Sequence, residues 1–232
     1  MVIALVLSGG TGSRLGADLP KQYLHVQGRP ILLYCMETLH KSPRIDAIQI
    51  VAAKEWQVEI ENWLDEHGFT DKFRGFSLPG ENRQLSIYNG LTDIRRFAQD
   101  DDLVLIHDAA RPLLSPELIE RCTEAIEGYE GVLPVLPMKD TVYYSEDGRQ
   151  ITSLLERKAV YAGQAPELFR LGAYYRANER LLPDGILRIN GSTEPAVLAG
   201  MRIAMVPGDE RNFKITTPAD LERFRQITED EA

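Results

Sequence analysis

Cysteine and positive charge are both scarce in this sequence of 232 residues. The two cysteines, Cys35 and Cys122, are far apart in the chain, which excludes the spacing of a zinc site and the framework of a disulfide-rich secreted protein. Acidic residues outnumber basic residues by 35 to 26, and the formal net charge of -9 argues against nucleic acid or an anionic membrane as a partner. Because this cysteine usage is typical of a reducing compartment, we expect a cytoplasmic protein.

Long hydrophobic runs are also missing. The first apolar run, Val2 to Leu7, is too short for a membrane span, and no basic segment precedes it as one would in a signal peptide. Apolar residues still make up 44% of the chain, which is ordinary for a globular protein and sufficient for a substantial core. We expect a single domain that covers residues 1–232.

A glycine-rich loop with two basic residues follows the first apolar run. The run itself is typical of a buried strand, because no polar residue interrupts it. Glycines allow backbone N–H groups to approach phosphate oxygens, and Arg14 and Lys21 add positive charge. The loop therefore predicts a nucleoside triphosphate site, and its sequence is Ser8-Gly9-Gly10-Thr11-Gly12-Ser13-Arg14-Leu15-Gly16, followed by Leu19-Pro20-Lys21-Gln22.

Two common nucleotide motifs do not fit this loop. A dinucleotide-binding loop needs a third glycine where the chain has Leu15, and a P-loop needs Gly-Lys-Ser/Thr where Ser13 and Arg14 follow Gly12. A tight turn without a ligand would explain the glycines but not the basic pair.

Strand and helix patterns alternate along much of the chain. Alternation at this pace predicts right-handed βαβ units and a mostly parallel sheet, with ligands at the carboxyl ends of its strands. A further helix is predicted to begin at residue 115, with Ser115 as its N-cap and Pro116 as its first residue. The predicted strands are 47–53, 73–78, 103–106 and 131–136, and the other predicted helices are 31–40, 55–66 and 83–97.

Two later motifs place charged residues at expected strand ends. The strand 103–106 is followed by His107-Asp108-Ala109-Ala110-Arg111-Pro112, which brings a carboxylate and a guanidinium to the edge of the sheet. Near the end of the chain, Asn212 to Asp220 predicts a short strand that carries Lys214, and then a capped helix. An intervening pair of segments, 139–144 and 150–155, predicts a hairpin around Asp147-Gly148, which must pack on something else to be stable.

The three motifs resemble those of the cytidylyltransferases that act on 2-C-methyl-D-erythritol 4-phosphate and on ribitol 5-phosphate. They are G-G-T-G-x-R-L-G with P-K-Q, then H-D-A-A-R-P, then N-x-K-I-T-T-P-x-D-L. The resemblance implies an α/β fold, the Rossmann-like nucleotidyltransferase fold, with a mostly parallel sheet flanked by helices and a protruding β-arm at about 138–162. It also implies a homodimer in which this arm contributes to the neighbour's active site.

The implied reaction transfers CMP from CTP to a polyol phosphate and releases pyrophosphate, with Mg²⁺ as the cofactor. No protein ligand for the metal is assigned, although Asp108 is a candidate. The resemblance gives roles to residues in three groups. The catalytic residues are Arg14, Lys21 and Lys214; the nucleotide-binding residues are Ser8, Gly9, Gly10, Gly12, Gly80, Glu81, Ser86 and Asp108; the acceptor-binding residues are Asp108, Arg111, Thr141 and, from the neighbouring subunit, Arg157.

Some of these residues can also have a purely structural role. Asp108 and Arg111 can also be a structural ion pair at a strand end, and Arg157 can be a plain surface charge. A glycosyltransferase of similar fold would need Asp-x-Asp at a strand end, where His107-Asp108-Ala109 offers one carboxylate. A nucleotide-binding homologue without turnover is a further alternative.

Two segments depart from the family pattern. The chain has Ser192-Thr193 before Glu194 where the family usually has Thr-Asp, and Ala165-Pro166-Glu167 where it usually has Thr-Pro-Gln. Both lie near the expected acceptor pocket, so they affect the choice of acceptor more than that of nucleotide. We expect 2-C-methyl-D-erythritol 4-phosphate, an isoprenoid precursor. Ribitol 5-phosphate, which gives CDP-ribitol for cell-wall polymers or capsules, is the alternative, because residues 9–12 and 161–164 look more like that branch.

Overall fold

The computed structural model describes residues 1–10 and 19–231. Gly12 and Arg14 lie outside the described residues. The strands are β1 (Val2–Leu7), β2 (His25–Val26), β3 (Arg29–Pro30), β4 (Ala47–Val51), β5 (Phe73–Ser77), β6 (Leu103–Asp108), β7 (Gly131–Pro137), β8 (Tyr143–Tyr144), β9 (Ser153–Leu154), β10 (Tyr161–Gly163), β11 (Glu167–Arg170) and β12 (Ile203–Pro207). The helices are α1 (Ile31–Lys41), α2 (Lys54–Glu66), α3 (Arg83–Ile94), α4 (Pro116–Glu124), α5 (Leu171–Glu179), α6 (Glu194–Leu198) and α7 (Pro218–Asp230).

The central sheet has the order β10-β7-β11-β6-β1-β4-β5, and β12 pairs with β7. Strands β5, β4, β1 and β6 are parallel to one another, and β12 is parallel to β7. Strands β10 and β11 run antiparallel to their neighbours. The expectation of a mostly parallel sheet is therefore confirmed.

Helices cover both faces of the sheet, and β1 shows this most clearly. Its Ala4 and Val6 join a core with residues of α1, α2 and α4, while Ile3 and Leu5 join a second core with residues of α3, α5 and α6. A strand buried on both faces needs apolar residues at every position, which explains the uninterrupted run in the sequence.

The predicted helix starts at Ser115 and Thr217 are confirmed. The Ser115 side chain accepts a hydrogen bond from the N–H of Leu118, and Thr217 and Asp220 form a capping box at the start of α7. The predicted short strand at Lys214 is wrong. This segment is irregular, and its backbone is held beside the end of β6 by a bond from the N–H of Ile215 to the C=O of Ala110 at 2.8 Å.

The hairpin is present but shorter than predicted. Strands β8 and β9 are antiparallel, with Tyr143 opposite Leu154. The Asp147 side chain accepts hydrogen bonds from the backbone N–H groups of Arg149 and Gln150 at 2.8 and 2.9 Å, and Gly148 takes a positive φ of 68°. These bonds close the turn that Asp-Gly predicts. In residues 1–10 and 19–231, no helix has the length and apolar character needed to cross a membrane.

Candidate active site

A cavity of about 440 Å³ opens where β1, β4 and β6 end. This is the edge at which open parallel sheets bind ligands. The structure brings most of the predicted nucleotide and catalytic residues to its wall. Those that line it are Gly9, Gly10, Lys21, Gly80, Glu81, Ser86, Asp108 and Lys214, together with Leu7, Gln22, Val51, Asn82, Arg83 and Ala110.

The start of the glycine-rich loop is held by Gln22, to which the sequence analysis gave no role. Its Nε2 donates hydrogen bonds to the C=O of Ser8 at 2.7 Å and to the C=O of Gly10 at 2.8 Å. Tyr23 also donates to the C=O of Ser8, and the Ser8 hydroxyl donates to the Tyr23 oxygen at 3.0 Å. The buried Ser8 side chain therefore fixes the loop instead of facing the cavity.

Gly9 allows this loop to approach the loop that follows β5, and Gly80 allows that second loop to pack on the first turn of α3. A Cβ atom on Gly9 would lie 2.7 Å from Cβ of Pro79, and one on Gly80 would lie 2.5 Å from Cγ of Leu85. The Ser86 hydroxyl accepts from the N–H of Gly80 at 2.9 Å and donates to the C=O of Asn82 at 2.8 Å. Close packing of these two loops shapes one side of the cavity.

Asp108 lies in the wall of the same cavity, with three cations around its carboxylate. Arg83 Nε donates to Oδ1 at 3.0 Å, Lys214 Nζ donates to Oδ2 at 3.0 Å, and Arg111 Nε is 3.6 Å from Oδ2. Burial by itself would raise the pKa of Asp108, but these positive charges outweigh it and hold the pKa well below its usual range. The carboxylate is therefore ionised at neutral pH.

Hydrogen bonds restrain Arg111, and burial keeps His107 uncharged at neutral pH. The Arg111 guanidinium donates to the C=O of Asn212 at 2.7 Å, and Nε2 of His107 lies 3.0 Å from the C=O of Arg111. His107 is fully buried, which lowers the pKa of its imidazole to about 4. Its side chain does not belong to the wall that the described residues form around the cavity.

Glu167 is a second buried carboxylate beside Asp108. Its segment was expected near the acceptor pocket, but the residue itself was not assigned a role. Because β11 is antiparallel to β6, its first residue lies at the edge where β6 ends, and Glu167 pairs with Ile106. The Ser192 hydroxyl donates to Glu167 Oε1, and Arg83 Nη2 lies 4.0 Å from Oε2. Burial raises the pKa of Glu167.

A family model connects this geometry to known proteins. The model of IspD, 2-C-methyl-D-erythritol 4-phosphate cytidylyltransferase, matches residues 2–229. The chain belongs to this family. A family member from Geobacter metallireducens is 37% identical over 224 residues, which cover 95% of this chain and 94% of that protein. A ribitol-5-phosphate cytidylyltransferase from Streptococcus agalactiae serotype V is 28% identical over 228 residues, which cover 98% of this chain and 95% of that protein.

Solved structures of family members have the same fold. The 2-C-methyl-D-erythritol 4-phosphate cytidylyltransferase of Francisella tularensis superimposes with a TM-score of 0.80 at 26% identity, over 97% of this chain and 98% of that one. The 4-diphosphocytidyl-2C-methyl-D-erythritol synthase of Anaerococcus prevotii gives a TM-score of 0.84 at 24% identity, over 98% and 96%. The Rossmann-like nucleotidyltransferase fold is thus confirmed.

The two segments that depart from the family pattern meet beside the Asp108 cluster. Glu167 lies in one of them and Ser192 in the other, and their hydrogen bond joins the two. Tyr174 secures this contact, because its hydroxyl donates to the C=O of Ser192 at 2.6 Å. Changes in these segments therefore act on the wall that contains Asp108.

The remaining predicted acceptor residues, Thr141 and Arg157, are exposed on the arm. Arg157 Nη1 donates to the C=O of Lys139 at 2.8 Å, within the arm itself. Neither side chain belongs to the wall that the described residues of their own chain form around the cavity.

The carboxylates of the cavity suit a magnesium ion that arrives with a nucleotide. Asp108 is buried in its wall, and Glu81 is exposed on the loop after β5. Over the described ranges, no three His, Cys, Asp or Glu side chains form a cluster suited to a metal. Mg²⁺ is commonly held by one or two carboxylates together with substrate phosphates, so Asp108 can add one carboxylate to a metal–triphosphate complex.

Proposed function

We propose that this chain transfers CMP from CTP to 2-C-methyl-D-erythritol 4-phosphate and releases pyrophosphate. The observation that carries the proposal is the shared cavity of the glycine-rich loop and the basic residues Lys21 and Lys214, in a chain that belongs to the family of that activity. In a protein with a net charge of -9, a cluster of cations at a sheet edge is a specific device for binding phosphates.

The reaction needs charge stabilisation more than it needs a base. The acceptor phosphate has a second pKa of about 6, so it is mostly a dianion at neutral pH and attacks the α-phosphorus of CTP without losing a proton. Negative charge then develops on the α-phosphate and on the leaving pyrophosphate. Lys21, Lys214 and Arg14 stabilise that charge, which is the main contribution an enzyme makes to phosphoryl and nucleotidyl transfer.

The nucleotide half of the site consists of the two packed loops. Gly9, Gly10 and Gly12 present backbone groups to the triphosphate, and Gly80, Glu81 and Ser86 recognise the base and ribose. The tight contact between Gly9 and Pro79 supports this assignment, because it brings the two loops to the same end of the cavity. A bound Mg²⁺ would neutralise triphosphate charge, with Asp108 as its protein ligand.

The acceptor half consists of Asp108, Arg111 and Thr141, completed by Arg157 from the partner subunit of a homodimer. The guanidinium groups suit a phosphate because they bind it in a bidentate manner. Exposed apolar side chains on the arm, with Tyr143 54% and Leu154 64% accessible, support a second copy as its partner. Both cysteines are free thiols, which supports a cytoplasmic location.

A second acceptor, ribitol 5-phosphate, is supported by one relative. The protein from Streptococcus agalactiae named for that substrate is 28% identical over 228 residues. The acceptor specificity is expected to depend on the two segments that depart from the family pattern, which contain Glu167, Ser192 and Thr193.

The test is pyrophosphate release from CTP and Mg²⁺ with a panel of acceptors. We expect turnover of 2-C-methyl-D-erythritol 4-phosphate to exceed that of ribitol 5-phosphate by at least about tenfold in kcat/KM. Ribitol 5-phosphate as the better substrate would replace the proposed acceptor. CTP binding without turnover of any polyol phosphate would contradict the proposed reaction.

A further inference from the structure

The guanidinium of Arg83 lies between two buried carboxylates at the cavity wall. Its Nε donates to Oδ1 of Asp108 at 3.0 Å, and its Nη2 lies 4.0 Å from Oε2 of Glu167. Asp108 is 6% exposed and Glu167 is 8% exposed, and Ser192 donates to the other oxygen of Glu167. The three side chains form one connected ionic group.

Rigid elements hold every member of this group. Arg83 is the first residue of α3, and Asn82 caps that helix by accepting from the N–H of Leu85 at 2.8 Å. The Asn82 amide also donates to the C=O of Ile186 at 3.0 Å. Asp108 and Glu167 lie on adjacent, paired strands, β6 and β11. The position of the guanidinium is therefore set by the fold.

The other two cations near Asp108 are placed differently. Lys214 and Arg111 both face Oδ2, at 3.0 and 3.6 Å. In the proposed function, both of them bind substrate phosphates, so each must share or leave the carboxylate when the substrates are bound. Arg83 faces the other oxygen of Asp108, Oδ1, and Glu167 is its second partner. Because Glu167 holds the far side of the guanidinium, Arg83 keeps its position when substrates bind.

We propose that Arg83 is a positioning residue for the acceptor half of the site. It keeps the Asp108 carboxylate oriented toward the acceptor once Lys214 and Arg111 bind phosphates. This inference rests on the proposed function. Without Arg83, the carboxylate would lose the hydrogen bond that fixes Oδ1, and it would be free to rotate away from the acceptor.

The kinetic test compares Arg83→Gln, which removes the charge, with Arg83→Lys, which keeps it. The matched control is Arg176→Gln, because Arg176 pairs with Asp100 at 2.6 Å on the exposed side of α5. For Arg83→Gln we expect a loss of about 10- to 100-fold in kcat/KM for the acceptor, with the KM for CTP within about threefold of the unmodified protein. Arg83→Lys should recover part of the loss, and Arg176→Gln should show none.

A second measurement does not depend on turnover. Calorimetric binding of the acceptor to Arg83→Gln, Asp108→Asn and the double variant forms a double-mutant cycle. If Arg83 acts through Asp108, we expect the double variant to bind the acceptor as tightly as Asp108→Asn alone, within about twofold. The thermal midpoint of each variant shows that it is folded.

Two outcomes would overturn the inference. One is a double variant whose loss of acceptor binding free energy is the sum of the losses in the two single variants. The other is a folded Arg83→Gln protein that loses CTP and acceptor affinity equally, since that result indicates a general disturbance of the cavity. If the unmodified protein turns over no polyol phosphate, the proposed function fails, while the binding cycle still decides whether Arg83 acts through Asp108.

Discussion

At the scale of single residues, the burial of Glu167 leads to a prediction about how the stability of the protein depends on pH. Burial raises its pKa above the ordinary value of 4.5, so the ionised form costs stability in the folded state. That cost is absent below pH 4.5 and appears as the pH rises through the raised folded pKa. Glu167→Gln keeps the shape and an oxygen that can accept from Ser192, and it removes the cost. We expect a higher Tm than that of the unmodified protein at pH 7, where each 1 kcal/mol corresponds to about 2–4 °C.

At pH 4 the unmodified protein and Glu167→Gln should have nearly equal Tm values, because the side chain at position 167 is then neutral in both proteins. A control is Glu37→Gln, which removes a carboxylate whose pKa is lowered by its hydrogen bonds to Lys41 and Arg29. This variant should lose stability at pH 7 instead of gaining it. A lower Tm for Glu167→Gln at pH 7 would mean that its ion pair with Arg83 outweighs the cost of burial.

Sequence motifs predicted the residues that line the cavity better than the residues that hold them. Lys214 and Asp108 belong to recognisable motifs, although they are 106 positions apart. Gln22 ends the first motif and Glu167 lies in a segment that departs from the family pattern, but neither side chain was given a role, and Arg83 belongs to none of the three motifs. Their importance lies in contacts with distant parts of the chain, such as the bond from Arg83 to Asp108 across 25 positions, and only the folded structure brings those partners together.

At the scale of secondary-structure elements, the close contact between the loop after β5 and helix α3 predicts the effect of a substitution at Gly80. A methyl group on Gly80 would lie 2.8 Å from the backbone carbon of Leu85, which cannot move without shifting the first turn of α3. We expect Gly80→Ala to lower the free energy of unfolding by about 1–3 kcal/mol and to raise the KM for CTP. Denaturant unfolding and initial rates measure both effects.

The control for this change is Gly185→Ala. There the added methyl group would lie 3.6 Å from Leu181 Cβ, an ordinary contact, so stability and the KM for CTP should change little. Equal effects of the two substitutions would show that the close approach at Gly80 is not what shapes the nucleotide loop.

Local patterns predicted the elements whose burial is continuous or periodic. Strands β4 to β7 and helices α1 to α4 lie close to their expected positions, because apolar residues mark them. Strand β11 and helices α5 and α6 were not predicted. The four residues of β11 become a strand only through pairing with β6 and β7, and that pairing is a tertiary contact with no local signal.

At the scale of the whole molecule, the arm is the part of the chain that its own core does not stabilise. Strands β8 and β9 have two residues each, and Ile151 beside them is 66% exposed. An isolated ribbon of this size is marginally stable in water. The homodimer proposed above, in which each arm completes the partner's acceptor site, would account both for these exposed apolar side chains and for the absence of Arg157 from the described wall of its own cavity.

Subunit mixing tests this arrangement directly. Lys21→Ala disables the nucleotide half of one subunit, and Arg157→Ala disables what its arm gives to the partner, so each homodimer should be inactive or nearly so. In a heterodimer, the Arg157→Ala subunit has an intact Lys21 and receives Arg157 from the Lys21→Ala subunit, which makes one of the two sites complete. We therefore expect each heterodimer to have up to about half of the activity of the unmodified dimer.

The control is a mixture of Lys21→Ala and Lys214→Ala subunits. Lys21 and Lys214 line the same cavity of one subunit, so neither subunit of this heterodimer has an intact nucleotide site and no activity should return. Confirmed Lys21→Ala/Arg157→Ala heterodimers without restored activity would place Arg157 outside the partner's site.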